Sequence, residues 1–273
     1  HGQRDSNKPF FMIWSLNPPH NPWNEQHTKM EFYDQYTNNG KVEYEKLLTH
    51  KNANANANAK AGKHAPYYFA NVSAVDYFIG QVLDKLEELN IAENTIICFS
   101  SDHGEMLGSH GHQGKPYPYT EAFNVPFIVK WGDKLKHRVE DLILGVPDVM
   151  PTILGLAGME DKIPMEVQGA NYAPNLIHPE SAKIDEPRAA LYIDFKSRGV
   201  YTGDQTLVVV NTPENGTEVY GYDNIKDPEQ LSKIPFEEME NAKMLKSELE
   251  QLLKTTADKW YIDKVCKDFL TYE

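Results

Sequence analysis

The sequence predicts an α/β chain: a mixed sheet flanked by helices, incomplete in its strands, followed by a small antiparallel sheet that ends in a helix. Three observations predict it. A helix-period stripe from Val75 runs into a strand-length apolar run at Phe99, a second apolar run and a second helix repeat that alternation before Leu156, and after Pro187 short runs are broken by Gly, Asp, Asn and Pro.

Residues 9–16 form a short apolar run closed by Asn17-Pro18-Pro19, the pattern of a buried strand ending in a loop. Residues 24–66 are polar, and the Asn-Ala alternation over 52–59 carries too little apolar bulk to pack, which predicts a surface insertion with little function of its own. Val75, Phe78, Ile79, Val82, Leu83, Leu86 and Leu89 recur at spacings of three and four, one buried face of a helix that closes at Asn90. Residues 95–100 are continuously apolar in their centre, which predicts a strand covered on both faces, as in a parallel sheet, with Cys98 a small buried hydrophobe. Residues 126–131 supply a second strand and 149–156 a second helix. The runs 190–195, 199–202, 205–210 and 217–222 read as an antiparallel sheet, and 236–253 as a last helix with Met239, Leu245, Leu249 and Leu252 facing the core. A boundary near 184 separates a large domain, 1–183, from a small one, 184–273.

Composition bounds the function. With 40% of its 273 residues apolar or aromatic and 25% charged, the chain has the balance of a globular protein. Its 27 Lys and Arg against 40 Asp and Glu leave a net charge of −13, which excludes a broad electrostatic hold on nucleic acid or anionic membrane, so any anion-binding group must be local. No run approaches the ~18 uninterrupted apolar residues of a membrane span. Two cysteines cannot build a disulfide framework.

The chemistry concentrates beyond the strand at 95–100, because loops at the carboxyl ends of strands in open α/β sheets converge there. Asp102 and His103 place a hard oxygen beside an imidazole nitrogen, a pairing suited to a divalent metal, and Gly104 permits a tight turn; the plain alternative is a hydrogen-bonded turn and no more. A glycine-rich loop with His110 and His112 follows and ends at Lys115, the lone basic residue between Lys85 and Lys130. Lys115 suits a substrate anion; His110 and His112 serve either the substrate or the packing of the loop. His20 lies between prolines that restrict its backbone, which suits a hydrogen-bond donor or general acid as well as a structural turn. Arg198 either reaches the same cleft or is a surface side chain near a turn.

Those residues carry a resemblance. Pro19-His20-Asn21-Pro22, the helix through Val75-Asp76, Ser101-Asp102-His103-Gly104-Glu105 with Gly108-Ser109-His110-Gly111, then Gly114-Lys115, stand in the order found in the sulfatase family of the alkaline phosphatase superfamily. Asn124-Val125-Pro126, Asp148-Val149-Met150-Pro151, Gln168-Gly169 and Asp227-Pro228-Glu229 resemble its later landmarks. The resemblance implies an alkaline-phosphatase-like fold and metal-assisted hydrolysis of a sulfate ester by a formylglycine nucleophile. It assigns Asp102 and His103 to the metal, Lys115 to the sulfate, His20 to the bridging oxygen and His110 to the substrate. Calcium is the expected metal, with manganese or zinc as alternatives, and a sulfated small molecule or glycan the expected substrate. For a glycan-degrading member it implies a periplasmic or secreted location.

Two departures shape the expectation. No Cys/Ser-x-Pro-x-Arg occurs in the 273 residues, since Cys98 precedes Phe-Ser-Ser and Cys266 precedes Lys-Asp-Phe, and the family's adjacent acidic pair is missing too. The chain therefore reads as the C-terminal portion of such an enzyme, inactive alone. His103 stands where many arylsulfatases have Asn, as it also does in iduronate-type and choline sulfatases and in phosphonate monoester hydrolases. Phosphonate monoester or phosphodiester hydrolysis is thus the competing chemistry, and a catalytically inactive anion-binding module the competing non-enzyme reading.

Overall fold

A computed structural model of the chain describes residues 5, 7–43, 47–53, 61–181 and 185–271. Their order is α1 (Met30–Tyr33), α2 (Ala65–Glu88), β1 (Ile97–Ser100), α3 (Thr120–Phe123), β2 (Phe127–Lys130), α4 (Val146–Leu156) and α5 (Ala173–Ile177). Then come β3 (Ala190–Ile193), β4 (Ser197–Tyr201), β5 (Gln205–Thr212), β6 (Gly216–Asp223), β7 (Ile234–Pro235), α6 (Ala242–Thr255) and α7 (Lys259–Ile262). The mixed α/β character follows the expectation. The arrangement of the first strands does not.

β1 pairs with β2 antiparallel, Cys98 opposite Val129 and Phe99 opposite Ile128, and no parallel pairing occurs between named strands among the described residues. Neither strand is covered on both faces: Ile128 is 59% exposed, and Cys98 is exposed rather than buried. Residues 9–16 form no strand, and Phe11 and Ile13 stand in solvent. Residues 9–16 thus depart from the buried strand that their apolar run predicts, because a strand needs a partner for its backbone and none of the described residues pairs with them.

The helix at 65–88 forms as its periodicity requires. Asn90 ends it in the left-handed region at φ 54°, with its amide on the Glu87 carbonyl at 2.8 Å and the Ile91 amide on that of Leu86 at 3.1 Å, the paired closure of a Schellman motif. Its first turns bury Ala65, Ala70 and Ala74, while the stripe from Val75 to Leu89 is only half-buried. Part of the covering layer comes from the segment read as a surface insertion: Phe32 of α1 packs with Ala70 and Ala74, and Tyr36 donates to or accepts from Ser73 at 2.5 Å. Of the Asn-Ala run, 54–59 lie outside the described residues.

The C-terminal sheet is a meander in the order β3-β4-β5-β6-β7, every neighbour antiparallel. Alternation along β5 sends Leu207 and Val209 to one face, where Leu245, Leu249 and Leu253 of α6 bury against them, and Val208 to the other, with Tyr220 and Tyr222. Burying three leucines contributes on the order of 5–9 kcal/mol before chain entropy is set against it. Met239, Leu245 and Leu249 face the core as expected; Leu253 takes the deepest place expected of Leu252, which is half-buried. The second face of this sheet meets Tyr119, so the small sheet backs the loop that carries the site. The expected boundary at 184 falls at residues 182–184, outside the described residues.

Candidate active site

The site grows from the end of β1. Beyond Ser100, Ser101 Oγ donates to the His103 carbonyl at 2.8 Å and the His103 amide donates to Asp102 Oδ1 at 3.0 Å. Gly104 then passes against α3, its amide on the Ala122 carbonyl at 2.8 Å. A Cβ there would lie 1.9 Å from the Glu121 carbonyl oxygen, so no other residue passes without moving the helix.

This turn aims the two expected ligands at one spot. His103 Nδ1 lies 2.8 Å from the Gly104 carbonyl oxygen; a carbonyl only accepts, so Nδ1 carries the proton and Nε2 keeps its lone pair. Nε2 stands 3.3 Å from Asp102 Oδ2 and receives Lys115 Nζ at 2.6 Å. Carboxylate, imidazole and ammonium thus form one trio, with Asp102 and Lys115 exposed and His103 half-buried. Among the described residues, no cluster of three or more His, Cys, Asp or Glu side chains is placed to hold a metal. The pair at 102 and 103 nevertheless suits a divalent cation, since a carboxyl oxygen and a tautomer-fixed nitrogen lie 3.3 Å apart at one turn.

Glu105 closes the loop that delivers Lys115. Its Oε1 accepts from the Leu107 amide at 3.1 Å and the Gly114 amide at 2.6 Å. The Met106 amide on the Gly114 carbonyl and the Gly108 amide on that of His112 complete the ring, at 2.9 and 2.7 Å. Gly114, at φ +84°, turns the chain out of it into Lys115.

His110 is set apart from the trio. Its amide donates to the Asn52 carbonyl at 3.0 Å, its Nε2 lies 3.2 Å from Asn52 Nδ2 and therefore accepts, and its ring stacks on Tyr119 at 3.7 Å and 9°. His112 stacks on Tyr117 at 3.9 Å and 16°. Burial holds both imidazoles below the ordinary histidine range, against the pull of Glu121 on His110. His20 is exposed, its amide on the Asn17 carbonyl at 2.9 Å and its Nδ1 2.8 Å from the Asn21 carbonyl oxygen, which again leaves Nε2 outward. Its loop is anchored by Trp23, whose Nε1 donates to the Pro19 carbonyl at 2.6 Å and whose ring packs on the cluster containing Leu107 of the glycine-rich loop.

Arg198 does not reach the site: only 7% exposed, it pairs through Nε with both Asp258 oxygens, at 3.0 and 3.1 Å, and lies over Trp260. Two residues that matter escaped the sequence. Asn52, in a low-complexity run, is 5% exposed and its amide reaches His110, Glu121 and the Glu229 carbonyl. Glu105 was legible only as a neighbour of the Asp-His-Gly turn.

A family model described as Sulfatase matches residues 2–159, and one described as N-sulphoglucosamine sulphohydrolase, C-terminal, matches 108–259. The chain is 36% identical to the endo-4-O-sulfatase of Bacteroides thetaiotaomicron over 98% of its own length, and spans 56% of that protein. A structure solved in work on glycosaminoglycan metabolism by Bacteroides thetaiotaomicron superposes with a TM-score of 0.91 at 36% identity, covering 98% of this chain and 58% of that one. Another, in complex with its substrate D-glucosamine-2-N,6-O-disulfate, superposes with a TM-score of 0.65 at 29% identity, covering 74% and 42%.

Proposed function

The chain belongs to the sulfatase family, and from that membership we propose that it forms the metal-binding and leaving-group side of a site that hydrolyses a sulfate ester on a glycan. The observation that carries the reading is the trio, Lys115 Nζ 2.6 Å from His103 Nε2 and Asp102 Oδ2 3.3 Å beyond it. Support for a glycan comes from the relatives, one an endo-4-O-sulfatase and one solved with a sulfated glucosamine.

In this reading Lys115 gives up its contact with His103 Nε2 to the substrate, and Asp102 and His103 would hold a divalent cation, calcium before manganese or zinc, which would supply Lewis-acid polarisation of the sulfate oxygens. Lys115 donates to a non-bridging sulfate oxygen and offsets the charge that gathers there. His20, its Nδ1–H spent on the Asn21 carbonyl, turns Nε2 to the bridging oxygen and serves there as the general acid as the alcohol leaves. His110 orders the loop and borders the substrate. The nucleophile, a formylglycine in the family, has no motif in these 273 residues, so the chain alone is expected to show no turnover.

Paired assays test this. The complete protein should release sulfate from a sulfated glycosaminoglycan oligosaccharide far faster than it cleaves an aryl phosphonate, and the 273-residue polypeptide should do neither. Faster phosphonate cleavage, or sulfate release by the 273 residues alone, overturns the reading.

A further inference from the structure

Beside the His20 loop, Trp23, Tyr33, Val42, Lys63, His64 and Tyr67 line an open cleft of about 360 Å³. Three of the six are aromatic. Tyr33 and Tyr67 lie 4.6 Å apart at 35°, and Trp23 faces His64 at 5.6 Å and 55°. None of the six is acidic, although the chain carries a net charge of −13. Lys63 is exposed. His64 Nδ1 lies 3.3 Å from the Trp23 carbonyl oxygen, which only accepts, so its Nε2 is left as an acceptor.

This lining has a definite chemistry. The half-buried rings of Trp23, Tyr33 and Tyr67 leave apolar area on the cleft wall for the C–H faces of a pyranose. The ammonium of Lys63 selects for negative charge, and Nε2 of His64 accepts from a sugar hydroxyl. The cleft is also tied to the site: Trp23 follows His20 by three residues, its indole donates to the Pro19 carbonyl, and its ring packs on the cluster that includes Leu107.

We propose that this cleft is a saccharide subsite for an acidic sugar ring, one that flanks the ring whose ester meets Lys115. The identity of the ligand as a glycan rests on the sulfatase reading; the binding itself does not. A sulfate-free probe therefore separates the two.

The complete protein is titrated calorimetrically with a hyaluronan hexasaccharide, which carries a carboxylate on alternate rings and no sulfate, and with the same hexasaccharide after reduction of its carboxylates. The acidic probe is expected to bind at least ~3-fold more tightly than the reduced one, with the preference falling as salt rises. Lys63→Gln should abolish that preference, and Tyr67→Ala should weaken the acidic probe by roughly 5- to 10-fold. Trp23→Phe, which keeps a ring in the packed cluster, should weaken it less than Tyr67→Ala. Equal binding of both probes, no binding of either, or unchanged affinity in Lys63→Gln and Tyr67→Ala overturns the subsite. Loss of sulfate release in the complete protein, by contrast, bears only on Lys115 and its trio.

Discussion

At the scale of single residues, the site is decided by which atom carries a proton. The Gly104 carbonyl fixes the His103 tautomer, the Asn21 carbonyl that of His20, and the Asn52 amide makes His110 Nε2 an acceptor. A second consequence concerns pH. Burial lowers His110 and His112 from 6.5, so the unfolded chain takes up protons that the folded chain refuses. Their contribution is intact above the unfolded value and is lost as pH falls below it. Thermal melts from roughly pH 7.5 to 5 should show Tm falling through that range, with a shallower fall in the His110→Gln, His112→Gln double variant; an unchanged slope contradicts the assignment. Asp102, His103 and Lys115 were legible in the sequence because a strand end and the glycine-rich loop after it bring such residues together locally. Asn52 was not, since its partners at 110, 121 and 229 are brought to it only by the fold, and its own neighbours are Asn and Ala repeats.

At the scale of elements, the loop from Glu105 to Lys115 is closed by one carboxylate oxygen together with a set of backbone bonds that includes Met106 to Gly114 and Gly108 to His112. Glu105→Ala leaves the Leu107 and Gly114 amides without that acceptor, whereas Glu105→Gln retains an oxygen for them. Amide exchange at Leu107 and Gly114 should accelerate by ~10-fold or more in Glu105→Ala and by less in Glu105→Gln. Equal exchange in both variants and in the unaltered chain would show that the carboxylate does not hold the loop. The helices at 65–88 and 242–255 and the meander at 190–235 were readable because their periodicity, Asn90 and the turn residues are local signals. The pairing direction of β1 and β2 was not, because a continuous apolar run states that a strand is hidden somewhere and says nothing of which strand lies beside it.

At the scale of the whole molecule, the C-terminal sheet matters to the site as its backing. Gln230, fully buried, accepts from the Thr120 amide at 3.0 Å and donates to Asn224 at 3.2 Å, so the turn after β6 grips the start of α3. Within that sheet the Arg198–Asp258 pair, with side chains 9% and 8% exposed, locks β4 to the start of α7. Removing one partner strands a buried charge: Arg198→Met should cost about 3–5 kcal/mol in denaturant unfolding, and Arg198→Met with Asp258→Asn should recover part of it. No recovery would mean that the loss lies in packing over Trp260 instead. The account as a whole turns on one cation-and-ammonium site at the end of β1. Its most direct test is the kcat/KM for sulfate release by the complete protein carrying Lys115→Ala, measured beside circular dichroism to confirm folding. The account predicts a loss of ~100-fold or more with the fold intact; a folded Lys115→Ala enzyme that releases sulfate at the unaltered rate contradicts it.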